Sequence, residues 1–151
     1  MRISLTTVGA PLVALFLSSC APLTYSDPGA VDFEQYQAVL VNVSSTSFTG
    51  GGSPFLAAKL TEFSGFRSVT TDPMQPVDAV LNVNLEIDYT ENEDSEGNVH
   101  PSYEATAKYT LVATGTPIDS GKTNASNSDP DEAVDSALEA VAVDYIKPYR
   151  L

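Results

Sequence analysis

The sequence predicts an α+β domain with the element order β-α-β-β-β-α, built as a mixed or antiparallel sheet with two helices on one face. Three observations predict it. Residues 81–89 and 103–114 alternate apolar and polar side chains with period two, the signature of strands with one buried and one wet face. Ser53-Pro54 and Asp129-Pro130 are helix-start signals, each followed by apolar residues at helical spacing. Ala38 to Val43 is a near-continuous apolar run, which suits a central strand covered on both faces.

Taken in order, the first strand is Ala38-Val39-Leu40-Val41-Asn42-Val43. A polar loop, Thr49-Gly50-Gly51-Gly52, leads to a helix with Ser53 as N-cap and Pro54 at the first helical position. Leu56, Leu60 and Phe63 form its apolar face, and Gly65 ends it. Arg67-Ser68-Val69-Thr70 reads as a second strand, completing a βαβ unit. The third strand sets Leu81, Val83, Leu85, Ile87 and Tyr89 against Asn82, Asn84, Glu86 and Asp88. The fourth sets Tyr103, Ala105, Ala107, Tyr109 and Leu111 against Glu104, Thr106, Lys108 and Thr110. A long acidic tip, Glu91 to Pro101, joins them as an antiparallel hairpin, and a turn at Asp119-Ser120-Gly121 folds back a fifth strand, Lys122 to Ser126. The last helix has Asp129 as N-cap, Glu132 as the N3 partner of a capping box, and Val134, Leu138, Val141 and Tyr145 as its apolar face, with Lys147 near its end and Pro148 as its stop.

Composition excludes several function classes. Seven Lys and Arg face twenty Asp and Glu, a net charge of −13 over 151 residues, so the chain lacks the basic surface that nucleic acid requires. One Cys and one His exclude an intramolecular disulfide and a Cys₄ or Cys₂His₂ zinc site.

The amino terminus carries an address. Arg2 is the only charged residue before Asp27, and Val8 to Leu17 is an apolar run too short to span a bilayer, as in a cleaved secretory signal. Leu17-Ser18-Ser19-Cys20 then resembles the lipobox of bacterial lipoproteins. That resemblance implies removal of residues 1–19, acylation of Cys20, and a lipid anchor of more than one chain. Ala21, where an Asp retains many lipoproteins at the inner membrane, gives the family pattern of the outer membrane. Residues 20–30 form a Pro-, Ser- and Gly-containing tether, and 31–151 form the periplasmic domain.

The domain itself resembles small Gram-negative envelope lipoproteins, among them the TolB amino-terminal and CsgG-like domains and the lipopolysaccharide-assembly lipoproteins. The similar stretches are Ala38 to Val43, Leu60 to Phe66, Asp78 to Leu81 and Leu111 to Gly121, together with the approach Asp32 to Tyr36. The resemblance implies fold and compartment, and no binding residue transfers from it.

Few residues carry chemistry. In Glu91 to Asn98, Asn92, Asp94 and Glu96 precede Gly97 as oxygen ligands precede the turn Gly of a calcium loop, but the acid expected at position 12 falls on Tyr103. These three are weak metal candidates, and a solvated hairpin tip whose charges prevent edge pairing is the favoured explanation. Asn127, Asp129, Asp131 and Glu132 are accounted for by helix capping, and Gly50-Gly51-Gly52-Ser53 lacks the Lys of a phosphate loop. No Ser sits in a nucleophile elbow, and His100 has no recognisable nucleophile beside it. The expectation is a non-enzymatic, cofactor-free lipoprotein held to the membrane by acyl chains on Cys20. It would serve as a binding or adaptor module in envelope assembly or maintenance, with a protein partner that offers a basic surface. The alternatives are a module enclosing a lipid or other apolar ligand near Tyr89, Tyr103 or Tyr109, and a weak divalent-cation loop at 91–98.

Overall fold

The computed structural model describes residues 31–47 and 51–145. The signal segment, Cys20, the tether, the Thr49-Gly50 part of the glycine loop, and Ile146, Lys147 and Pro148 lie outside the described residues. The elements are β1 (Ala38–Ser45), α1 (Gly52–Phe63), β2 (Ser68–Thr70), β3 (Ala79–Glu93), β4 (Val99–Ala113), β5 (Thr116–Asn127) and α2 (Pro130–Asp144), the expected order. They form one five-stranded mixed sheet in the spatial order β2-β1-β3-β4-β5. β1 runs parallel to both β2 and β3, and the β3-β4 and β4-β5 pairs are antiparallel.

Both helices pack against each other and against the same sheet face. Val39, Val41, Leu81, Val83, Leu85, Ala105, Ala107 and Leu111 point into that layer and meet Leu56 and Leu60 of α1 and Val134, Leu138 and Val141 of α2. Fully burying side chains of this size contributes about 1.5–3 kcal/mol each, so this layer holds the domain together. The opposite face is polar: Lys108 makes a bidentate ion pair with Glu86 at 2.7 and 2.8 Å, Asn42 donates to Asn82, and Asn124 donates to Glu104. The first half of β1 is therefore covered on both faces, through Val39, Leu40 and Val41, whereas Asn42 and Ser44 are exposed.

Five local expectations are corrected. Ser53 does not cap α1; the helix begins at Gly52 behind Gly51, and the Ser53 hydroxyl accepts the Val43 N–H at 2.8 Å, tying the helix to β1. Phe63 lies off the buried face formed by Leu56 and Leu60 and is 38% exposed, with the Lys59 ammonium, which pairs with Glu139 of α2, 5.7 Å from its ring. The capping box of α2 is replaced by a relay. Asp129 does cap the helix, accepting from Asp131 and Glu132, but Glu132 binds the Asn127 side chain while Asn127 accepts the Asp129 N–H. The acidic tip is short, since β3 and β4 stay paired to Glu93 and Val99. Finally, the β4-β5 turn is Thr114-Gly115, not Asp119-Ser120-Gly121. Positive φ at both residues (49° and 78°) matches the primed two-residue turn that follows the twist of a hairpin.

The chain enters the domain at the start of β1. Phe33 packs edge-on against Phe66 at 5.0 Å and covers Gly65, where a Cβ would lie 2.6 Å from its ring. Asp78 accepts the N–H groups of Gln37 and Ala38, both at 2.9 Å, and so latches the beginnings of β1 and β3 together. Because β1 and β3 are parallel, the β3-β4 tip stands at the opposite end of the molecule from the chain entry.

Candidate functional site

The period-two pattern of β3 and β4 continues past the body of the sheet. β1 last pairs with β3 at Ser45–Leu85, and β5 last pairs with β4 at Tyr103–Asn127. Beyond Asn127 four further pairs, Thr90–Ser102 to Glu93–Val99, form a free two-stranded ribbon. At about 3.4 Å per residue it projects roughly 14 Å past β5. Pro101 falls in this part of β4, where the strand has lost its second neighbour and a missing N–H breaks no ladder.

Alternation gives the ribbon two faces. Tyr89, Glu91 and Glu93 of β3 lie opposite Tyr103, Pro101 and Val99 of β4 on the helix side, and Asp88, Thr90 and Asn92 lie opposite Glu104, Ser102 and His100 on the other. The Tyr89 and Tyr103 rings meet at 5.1 Å, Tyr89 is 52% and Val99 56% exposed, and the Tyr89 hydroxyl donates to Glu91 at 2.7 Å. That hydrogen bond to a carboxylate raises the Tyr89 pKa.

Asp94 organises the tip. The Asp94 N–H bonds the Asn98 carbonyl, the Gly97 N–H bonds the Asp94 carbonyl, and Gly97 takes φ +84°, a three-residue loop with glycine at the left-handed position. Its carboxylate accepts the Glu96 and Asn98 N–H groups at 2.8 and 2.9 Å, the Asn98 amide at 3.0 Å and the His100 ring at 3.0 Å. The His100 contact first, then these N–H donors, hold its carboxyl well below the usual carboxylate range.

The three weak metal candidates are thus not brought together as ligands. Asp94 spends both oxygens on the turn, Asn92 sits in the ladder opposite His100, and Glu96 points from the loop. Among the described residues no group of three or more His, Cys, Asp or Glu side chains is arranged to hold a metal ion. Because the folded pKa of Asp94 is depressed, its stabilising effect is present above the ordinary carboxylate pKa of about 4 and is lost as pH falls further. The tip amides of Glu96 and Asn98 should therefore stay protected from hydrogen exchange at pH 4, and Asp94→Ala should deprotect them at neutral pH while the core amides are unchanged.

The second cluster, which sequence reasoning missed, is buried. Tyr109 extends over Gly121 of β5 and donates to Asp144 at 2.6 Å, and Tyr145 packs edge-on against it at 5.7 Å. Burial first, and then Asp144, push the Tyr109 pKa up. Tyr145 is 1% exposed and its pKa is raised by burial and by Asp119, yet its hydroxyl closes no hydrogen bond of good geometry. Tyr109 is therefore a core residue. Ala105 and Ala107, both buried beneath α2, separate it from Tyr103, so the three tyrosines named for an apolar ligand do not surround one space. On the other face Glu86 is bound to Lys108, and Asp88 is exposed opposite Glu104.

No protein-family model matches the chain, and no curated protein matches it in sequence. Among solved structures, a PelC dodecamer from Paraburkholderia phytofirmans is similar with a TM-score of 0.52 and 17% identity, over 74% of this chain and 89% of that one. A minor lipoprotein from Acinetobacter baumannii matches with a TM-score of 0.45 and 10% identity, over 72% of this chain and 86% of that one. The lipoprotein GNA1162 from Neisseria meningitidis gives 0.43 and 17%, over 70% and 94%. The likeness to PelC is one of fold. The chain thus has the α+β fold expected from its sequence, and its structural neighbours include small bacterial lipoproteins.

Proposed function

We propose that this chain is a lipid-anchored envelope lipoprotein whose domain works as a non-catalytic binding module for a protein partner. The observation that carries the reading is Leu17-Ser18-Ser19-Cys20 followed by a polar tether and one small domain. Acyl chains on Cys20 then attach the molecule. Removal of residues 1–19 leaves six basic against twenty acidic residues, a charge of −14, which anionic lipid repels. Among the described residues no helix is long and apolar enough to cross a membrane. Ala21 after the Cys favours the outer membrane, with the domain in the periplasm.

The binding role is supported by how the polar groups are used. Asp94 is engaged in a turn, Asp129 in a helix cap and Glu86 in a cross-strand ion pair. What remains available is surface: a polar sheet face and a projecting ribbon. Crosslinking in native envelopes, with mass-spectrometric identification of the products, tests this. A reproducible heterologous partner is the expected result. Recovery of the chain only as a monomer, or only joined to copies of itself, would contradict the adaptor role.

A further inference from the structure

We propose that the helix-side face of the β3-β4 ribbon is the docking surface, and that it takes a basic amphipathic segment of a partner protein. This rests on the adaptor reading above and adds where the contact is made and by what chemistry. The face has two rails. Tyr103, Pro101 and Val99 give an apolar rail along β4, and Tyr89, Glu91 and Glu93 give an aromatic and acidic rail along β3. At its base, α2 begins three residues beyond Asn127, which pairs with Tyr103, so the exposed Asp131 and Glu132 stand at the foot of the ribbon. The result is an apolar strip with carboxylates on one side and at one end.

The charge selects the occupant. A second copy of the chain carries the same −14 and would meet acid with acid. A bilayer surface is anionic and repels these carboxylates, and the ribbon stands at the end of the domain opposite the chain entry at Val31 to Phe33. A peptide segment with one apolar and one Lys- or Arg-bearing stripe satisfies both rails at once. Aromatic anchors carry a large share of interface energy, and the two tyrosines already stack against each other, which limits the ordering cost of binding.

The test uses the full chain from residue 20 with Cys20→Ser, titrated with an amphipathic helical peptide of Lys and Leu and followed by amide NMR. Two control peptides accompany it: a Glu and Leu peptide, and a Lys and Ser peptide of equal charge. The expected result is shift changes confined to residues 87–104 and 129–132, with the Lys and Leu peptide binding at least tenfold more tightly than either control. The double variant Tyr89→Ser, Val99→Ser should weaken binding about tenfold with its charge unchanged, a loss of about 1.4 kcal/mol. Glu91→Gln with Glu93→Gln should weaken it and reduce its salt dependence. Both pairs lie outside the buried core, and the core amide spectrum of each variant verifies its fold. Shift changes spread over the acids of the polar sheet face, or equal binding by the Lys and Ser peptide, would overturn the proposal. So would binding that neither double variant alters. A crosslinked partner in native envelopes alongside such a result would retain the adaptor role and reject the ribbon.

Discussion

Replacing Gly121 with alanine should destabilise the domain by about 3 kcal/mol and lower its melting temperature by on the order of 10 °C. A Cβ at this position would overlap the Tyr109 ring, meeting its Oη and Cζ and lying 2.9 Å from Cε1. The ring has little room to yield. Its hydroxyl is bound to Asp144 at 2.6 Å and its edge rests on Tyr145, which in turn packs on Phe66. Tyr109 must therefore leave its rotamer or push β5 outward. The first movement breaks a hydrogen bond to a carboxylate, and the second strains the β4-β5 ladder beside it. Gly115→Ala is the informative control. Nothing lies within 4 Å of a Cβ there, and its φ of +78° costs only the left-handed penalty, of order 1 kcal/mol. The double variant Tyr109→Leu, Gly121→Ala should cost clearly less than the sum of its parts, because the leucine removes the atoms that the new methyl meets. Denaturant midpoints of the parent chain, the three single variants Gly121→Ala, Gly115→Ala and Tyr109→Leu, and the double variant check the whole set. Equal effects at Gly121 and Gly115 would show that the Tyr109 contact is not what requires glycine.

Replacing Cys20 with serine should move the chain from the membrane fraction to the soluble fraction in an all-or-none manner. Each acyl CH₂ buried in the bilayer contributes about 0.8 kcal/mol, one chain alone holds a protein only marginally, and two or more hold it stably. In the proposed arrangement nothing in the domain substitutes for them. Its net charge opposes adsorption to anionic lipid, and among the described residues the large exposed apolar side chains, Phe63, Met74, Tyr89, Val99 and Val143, are spread over α1, a loop, β3, β4 and α2 rather than gathered on one helix face that could lie in a bilayer. Fractionation before and after a high-salt wash checks this. Retention of Cys20→Ser in washed membranes would mean that another part of the chain carries the attachment.

The strands and helices were legible because burial on one side writes a period into the sequence. Leu81 to Tyr89 and Tyr103 to Leu111 alternate because helices cover one face and water the other, and Asp129-Pro130 marks a helix start by satisfying free N–H groups. The turns were less legible, for a physical reason. Asp119-Ser120-Gly121 has turn-forming residues, but the glycine is there to admit the Tyr109 ring from a neighbouring strand, a contact no local pattern records. Thr114-Gly115 makes the turn although a threonine seldom accepts positive φ. Ser53 precedes Pro54 as a cap would, yet its hydroxyl is taken by the N–H of Val43, ten residues back. At the tip, the acid-rich composition of Glu91 to Asn98 pointed to ligands, whereas the carboxylate of Asp94 faces N–H donors. The two rails of the ribbon did have a signal. Extending the same alternation outward from Tyr89 and Tyr103 reaches Glu91, Glu93, Pro101 and Val99 on one face.

The lipid anchor is the premise on which the choice of the ribbon's partner depends. Mass spectrometry of the mature protein extracted from native membranes tests it most directly. The account predicts an amino-terminal peptide that begins at Cys20 and carries acyl chains on both its thiol and its amino group. A mature chain that begins at any other residue, or a Cys20 recovered with a free thiol, would contradict it.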